Sequence, residues 1–173
     1  WVSACTVIVM IIIYLRRQGY LEFVTESTIH DMGKWMFAIS FLWTYLYFSQ
    51  FMLYWYSDIP EEIRYFLDRW KDYKALMWFV LMINFAFPMI LLMSRDSKRN
   101  FFFLSFVGII ILIGHWLDMY MIIMPPTVGH DAKLGLTEFT MPFLFIGLFM
   151  YVVFTALAKQ PLMVKNHPYL QES

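Results

Sequence analysis

Gly114-His115-Trp116-Leu117-Asp118-Met119-Tyr120 lies inside an apolar run that extends from Phe101 to Met124. The only strongly ionisable side chains in that run are His115 and Asp118. They stand three positions apart and so share one face of a helix. A run of this length and polarity reads as a membrane-spanning helix. Ionisable groups at membrane depth are costly, so the pair reads first as a ligand or proton site facing protein rather than lipid. Trp116 and Tyr120 complete the neighbourhood with an indole and a phenol.

Composition points the same way. Of the 173 residues, 61% are hydrophobic and 15% charged, against roughly 45–50% and 25% in soluble domains. Eighteen Phe, 11 Tyr and 7 Trp add bulky apolar surface that a soluble core of this size could not enclose. Strand-like alternation of the membrane-barrel kind is absent. The fold class expected is an all-α polytopic membrane protein. About five transmembrane helices would form a bundle, with one interfacial amphipathic helix beside them. A net charge of zero argues against a nucleic-acid partner. The single cysteine, Cys5, excludes an internal disulfide, and no haem-attachment motif is present. The sequence opens at Trp1 in mid-hydrophobic stretch without a positively charged leader, the pattern expected of a fragment of a longer chain.

Outward from the central run, the spans are expected at about 1–15, 35–56, 76–93, 101–124 and 139–158. The first is truncated and ends at Arg16-Arg17. Residues 16–34 read as a polar connection, with Asp31 or Thr28 as the cap of the next helix. The 35–56 span carries a polar line through Ser40, Thr44, Tyr47 and Tyr54, with Gln50 nearby. That line reads either as helix–helix hydrogen bonding or as a path for protons or a quinone headgroup. Residues 59–73 repeat apolar side chains at Ile63, Phe66, Leu67 and Trp70, the pattern of an amphipathic helix lying flat at the interface or docking a partner subunit. Asp58 with Glu61 fits a capping box there. Asn84 and Pro88 fall inside the 76–93 span, where Pro88 should kink the helix. Residues 94–100 read as a short basic loop. Pro125-Pro126 read as the stop of the central span, Gly108 and Gly114 as places of close backbone approach, and Pro142 as part of the first turn of the last span.

Lys and Arg divide eight to five between the two faces, which places the 94–100 loop and the C-terminus inside. The 59–73 segment is then on the outer face. His115 and Asp118 fall in the outer half, about 9–14 Å below Met124 at helical rise. Quinol oxidation releases two protons and needs headgroup partners and a proton acceptor. A His/Asp pair among Trp116, Tyr120 and methionines has those parts. Ion transport and a structural ion pair with a cation from elsewhere fit the pair as well. A haem b site is disfavoured, because His115 is the only histidine clearly inside a span: His30 and His130 lie at boundaries and His167 in the tail. No carboxylate-rich cluster suggests a metal.

Two segments carry a resemblance. Residues 28–62, TIHDMGKWMFAISFLWTYLYFSQFMLYWYSDIPEE, closely resemble the ActF-type membrane subunits of bacterial alternative complex III, and the ending LAKQPLMVKNHPYLQES resembles their C-terminus. GHWLDMYMIIMPP is similar to a late-helix motif of the wider NrfD/PsrC-like quinone-binding membrane subunits. That motif reads with Arg and Glu around the Trp; His115 stands in place of the Arg and Asp118 in place of the Glu. The resemblance implies a parent subunit of about ten spans in two four-helix bundles and two further helices, with this chain its C-terminal half. It implies a multi-pass place in the bacterial inner membrane. Expected partners are an NrfD-like sister subunit, iron–sulfur and c-haem subunits, lipid, and in some assemblies a terminal oxidase. The cofactors implied are menaquinone or its quinol as the redox substrate, with haem and clusters confined to the partner subunits. Within that family this type of subunit would offer a second quinone site, a proton path through Ser40, Thr44, Tyr47, Gln50 and Asn84, or a scaffold.

Overall fold

The computed structural model describes residues 1–129 and 135–162. Among them every regular element is helical. In chain order they are α1 (Val2–Arg17), α2 (Glu26–Ser57), α3 (Pro60–Asp72), α4 (Lys74–Leu81), α5 (Phe87–Met93), α6 (Arg95–Arg99), α7 (Phe101–Val128) and α8 (Leu136–Lys159). A π-helical turn, Met82–Ala86, joins α4 to α5. Four stretches are long and apolar enough to cross a bilayer: Glu26–Ser57, Lys74–Met93, Phe101–Val128 and Leu136–Lys159. The chain is an all-α polytopic membrane protein. α1, at 16 residues, is shorter than the roughly 20 that a crossing takes. The chain divides after residue 130 into two compact units.

α7 is the spine of the first unit, with Leu104, Val107, Ile111, Leu117 and Met121 buried along it. Its two glycines are where other backbones come close. A Cβ at Gly108 would lie 3.2 Å from Thr6 Cγ2 of α1. A Cβ at Gly114 would collide with Ile83 of the π turn and sit 2.5 Å from Asn84 Oδ1. Small residues play this part in membrane bundles, where helices associate by van der Waals packing. The pairs also give direction. Gly33 lies beside Leu104 and Trp43 beside Asp118, so α2 runs parallel to α7. Asn84 lies beside Gly114, and Met77 and Val80 cluster with Leu117 and Met121, so α4–α5 runs antiparallel. The Arg16 guanidinium lies 4.3 Å over the Phe101 ring while Thr6 faces Gly108, so α1 is antiparallel as well.

Several boundaries differ from the expected ones. The connection expected over 16–34 is largely helix. α2 begins at Glu26, and its N-cap is Thr25, whose Oγ1 accepts from the Thr28 N–H at 3.3 Å. His30 and Asp31 lie inside the helix, and Asp31 takes Lys34 at 2.8 Å. One face of these early turns is buried through Ile29, Gly33 and Met36, and packing carries the helix beyond the purely apolar stretch. Asp58 does not cap α3: it adopts a left-handed conformation (φ 48°) and closes α2 with its N–H on the Tyr54 carbonyl. Ile59 precedes α3 instead, with Pro60 at the first helical position, where a missing N–H costs nothing. The 94–100 loop holds a turn of helix, α6, whose Lys98 is buried with Nζ 5.6 Å from the Phe37 ring centre.

Pro88 cannot donate to the carbonyl four residues back, that of Asn84. The chain answers with a π turn that opens just before it, a usual way to absorb such a break. Pro125 and Pro126 do not stop α7 at Met124. The helix runs through both to Val128 and closes at Gly129 (φ 71°). The two carbonyls these prolines leave without amide donors, those of Met121 and Ile122, are met from α3.

The second unit presents α8. It starts at Leu136 rather than 139, so Pro142 stands in its second turn. Glu138 Oε2 accepts the Gly135 N–H at 2.8 Å, one half of a capping box. His130, Asp131, Lys133, Lys165, His167 and the end of the tail fall outside the described residues.

Candidate functional site

His115 and Asp118 both project from the middle of α7 toward α2, and the residue that touches both is Trp43. The indole Nε1 donates to Asp118 Oδ2 across 3.2 Å. The His115 ring meets the same indole edge-on, with centroids 5.8 Å apart and planes at 85°. Asp118 is 6% exposed. Among the described residues no hydrogen bond or ion pair joins His115 to Asp118 directly. The two are held as neighbours on a shared indole rather than as an imidazole–carboxylate couple. Tyr47, one turn along α2, stacks on Trp43 with centroids 5.4 Å apart. The site wall is therefore a ladder of rings from Tyr47 through Trp43 to His115, with one carboxylate held by an N–H donor. Trp116 packs on the cluster of Met77, Val80, Leu117 and Met121. Tyr120 is buried on α7.

The polar residues of α2 and the π turn divide into separate groups. Ser40 is buried, and among the described residues its Oγ has no hydrogen-bond partner. Thr44 gives its hydroxyl to the Ser40 carbonyl at 3.2 Å, which occupies it within its own helix. Tyr47 belongs to the ring ladder. Gln50 is on the exposed side of α2. Asn84 is 2% exposed, and among the described residues neither its Nδ2 nor its Oδ1 has a hydrogen-bond partner. It sits against Gly114, one residue before His115.

Arg69 is the residue that sequence reasoning missed. It was one of the cations counted on the outer face, on the polar flank of an interfacial helix. In the folded chain it is 3% exposed. Its Nε donates to the Met121 carbonyl at 3.1 Å, its Nη2 to the Ile122 carbonyl at 3.2 Å, and its Nη1 to the Tyr65 carbonyl at 2.6 Å. The guanidinium also lies 3.4 Å over the Tyr65 ring. Met121 and Ile122 are the residues four before Pro125 and Pro126. Two donors of one rigid fork thus replace the two amide N–H groups that the prolines lack. Burial lowers the pKa of Arg69, and Tyr65 and Tyr47, followed by Asp68 and Asp118, oppose that shift. Burial raises the pKa of Tyr65. Tyr73, just past α3, donates its phenol to the Gly129 carbonyl at the end of α7. A signal for Arg69 was present: a Pro-Pro pair inside an apolar run creates two bare carbonyls at fixed positions, and something must satisfy them.

No family model matches this sequence, and no curated protein matches it. The chemistry is therefore read from the residues. Among the described residues no three His, Cys, Asp or Glu side chains converge in a way that would hold a metal ion. The arrangement offers one carboxylate fixed by an indole, one imidazole beside it, and flat aromatic walls. Such a set can accept hydrogen bonds from a hydroxylated ring and take up a proton.

A second feature adjoins it. α2, α3 and α4 enclose a groove of about 560 Å³, lined by Tyr47, Phe51, Phe66, Trp70 and Trp78 among other apolar side chains.

Proposed function

We propose that this chain is an integral membrane subunit of a respiratory quinol-oxidising electron-transfer complex, of the ActF type found in bacterial alternative complex III. In this reading it lies in the bacterial inner membrane with its C-terminus on the cytoplasmic side. His115 and Asp118 serve a quinol headgroup near the outer surface. Oxidation of a quinol to the quinone releases two electrons and two protons. The His115 imidazole takes the proton of one quinol hydroxyl, the Asp118 carboxylate accepts a hydrogen bond from the other and takes its proton, and both protons then leave to the outer side. Trp43 holds the carboxylate in place, and the electrons pass to iron–sulfur and c-haem centres in partner subunits.

The observation that carries the proposal is the Trp43–Asp118 hydrogen bond with His115 edge-on to the same indole. Among the described residues Asp118 meets a neutral donor and no cation, and a costly ionisable group of this kind at membrane depth marks a functional site by default. The resemblance of residues 28–62, which include Trp43, supports the choice of family.

The test is His115→Ala with Asp118→Ala in the assembled complex. Quinol oxidation should fall at least tenfold, in line with loss of a positioned proton acceptor, while assembly stays intact. Unchanged turnover together with unchanged quinone content would overturn the proposal. It would leave the second reading, a scaffold or proton-conducting subunit without bound quinone. That reading is favoured by the buried, unpartnered Ser40 and Asn84.

A further inference from the structure

We infer that the groove between α2, α3 and α4 seats one acyl chain of an anionic phospholipid, with the lipid phosphate at Lys74. This is independent of the quinol reading. The groove is walled by rings that fix one another. Phe51 meets Phe66 edge-on at 5.5 Å, and Trp70 meets Trp78 at 6.1 Å and 64°. These edge-to-face contacts set the ring walls of a slot of about 560 Å³.

Its dimensions select the occupant. Along α2 it runs from Trp55 to Thr44, roughly 16 Å at helical rise, and along α4 and the π turn from Met77 to Phe85, roughly 12 Å. That is about one leaflet of a hydrocarbon core near 30 Å thick. A single extended hydrocarbon chain spans a slot of this length.

The charge at the mouth selects the headgroup. Lys74 is the exposed first residue of α4, and its Nζ stands 5.0 Å from the centre of the Trp70 ring, which lines the groove. Among the described residues it has no ion pair. The groove stripe of α3 is Ile63, Phe66, Leu67 and Trp70; at 100° per residue Asp68 and Asp72 fall on the far side of that helix. A phosphate at Lys74 therefore meets a cation without facing those carboxylates, and the aromatic and lysine pairing is what membrane interfaces favour.

The experiment uses the full chain, delipidated in detergent, offered phosphatidylglycerol and phosphatidylcholine of equal chain length, and examined by native mass spectrometry. One phosphatidylglycerol should be retained in preference to phosphatidylcholine. Lys74→Gln should cut that preference about fivefold, the effect of one lysine near an anionic lipid. Leu67→Phe with Leu81→Phe, which fills the slot, should abolish retention of either lipid while leaving the helical circular dichroism unchanged. Equal retention of both lipids by the wild type, or unaltered retention by the filled variant, would overturn the assignment. So would displacement of the phospholipid by added menaquinone at equimolar concentration, because the slot would then belong to an isoprenoid chain.

Discussion

Arg69 donates from Nε to the carbonyl oxygen of Met121 across 3.1 Å, and that carbonyl is the one Pro125 leaves without an amide partner. The neighbouring bond to Ile122 does the same for Pro126. α3 is thus fastened to α7 at the turn where two prolines remove its own hydrogen-bond donors.

Arg69→Ala should destabilise the first unit by about 1–3 kcal/mol, the cost of buried polar groups left bare. Arg69→Lys should recover only part of this, since an ammonium lacks the planar fork. In a Pro125→Ala, Pro126→Ala background the amide donors return, and the Arg69→Ala loss should shrink. Thermal unfolding in detergent across this double-mutant cycle measures the coupling; the same loss in both backgrounds would remove the assignment.

Trp43→Phe keeps an aromatic ring beside Tyr47 and His115 but deletes the donor to Asp118. The expected cost is about 1.5–3 kcal/mol, the range for a hydrogen bond to a charged group. Combining it with Asp118→Asn should give less than the sum of the two single losses. Additive losses would mean that the indole and the carboxylate act independently.

Gly114→Ala places a methyl group against Ile83 and Asn84 and should cost about 1–3 kcal/mol through overpacking. Gly147→Ala in α8, with nothing within 4 Å of the added carbon, should be neutral or mildly stabilising, because alanine is the better helix former. Melting curves of the two variants side by side check the contrast.

Thr25→Ala should lower stability by about 1 kcal/mol as an N-cap loss, while Asp31→Ala should leave the melting temperature unchanged. The reverse order would restore Asp31 as the cap of α2.

The spans were legible because twenty apolar residues in a row have few other uses. Their ends were not. Residues 26–34 look polar, yet Ile29, Gly33 and Met36 bury one face, so α2 starts before its hydropathy does. Pro125-Pro126 looked like a stop because the remedy, Arg69, lies more than fifty positions upstream. At the candidate site, helical spacing put His115 and Asp118 on one face. It could not reveal Trp43, since α2 is crowded with aromatic residues and nothing local says which of them reaches α7. Asn84 and Gly114 were each noticed alone; only the antiparallel run of α4–α5 brings them together.

The π turn at Met82–Ala86 carries a consequence of its own. It amounts to one surplus residue threaded into an otherwise regular coil, and a surplus residue rotates all that follows by about 100°. Pro88 and Leu92 are buried in that rotated phase. Shortening this segment by a single residue would unwind the offset and aim both side chains at the lipid, so the chain tolerates exchange of side chains here far better than a change in their number.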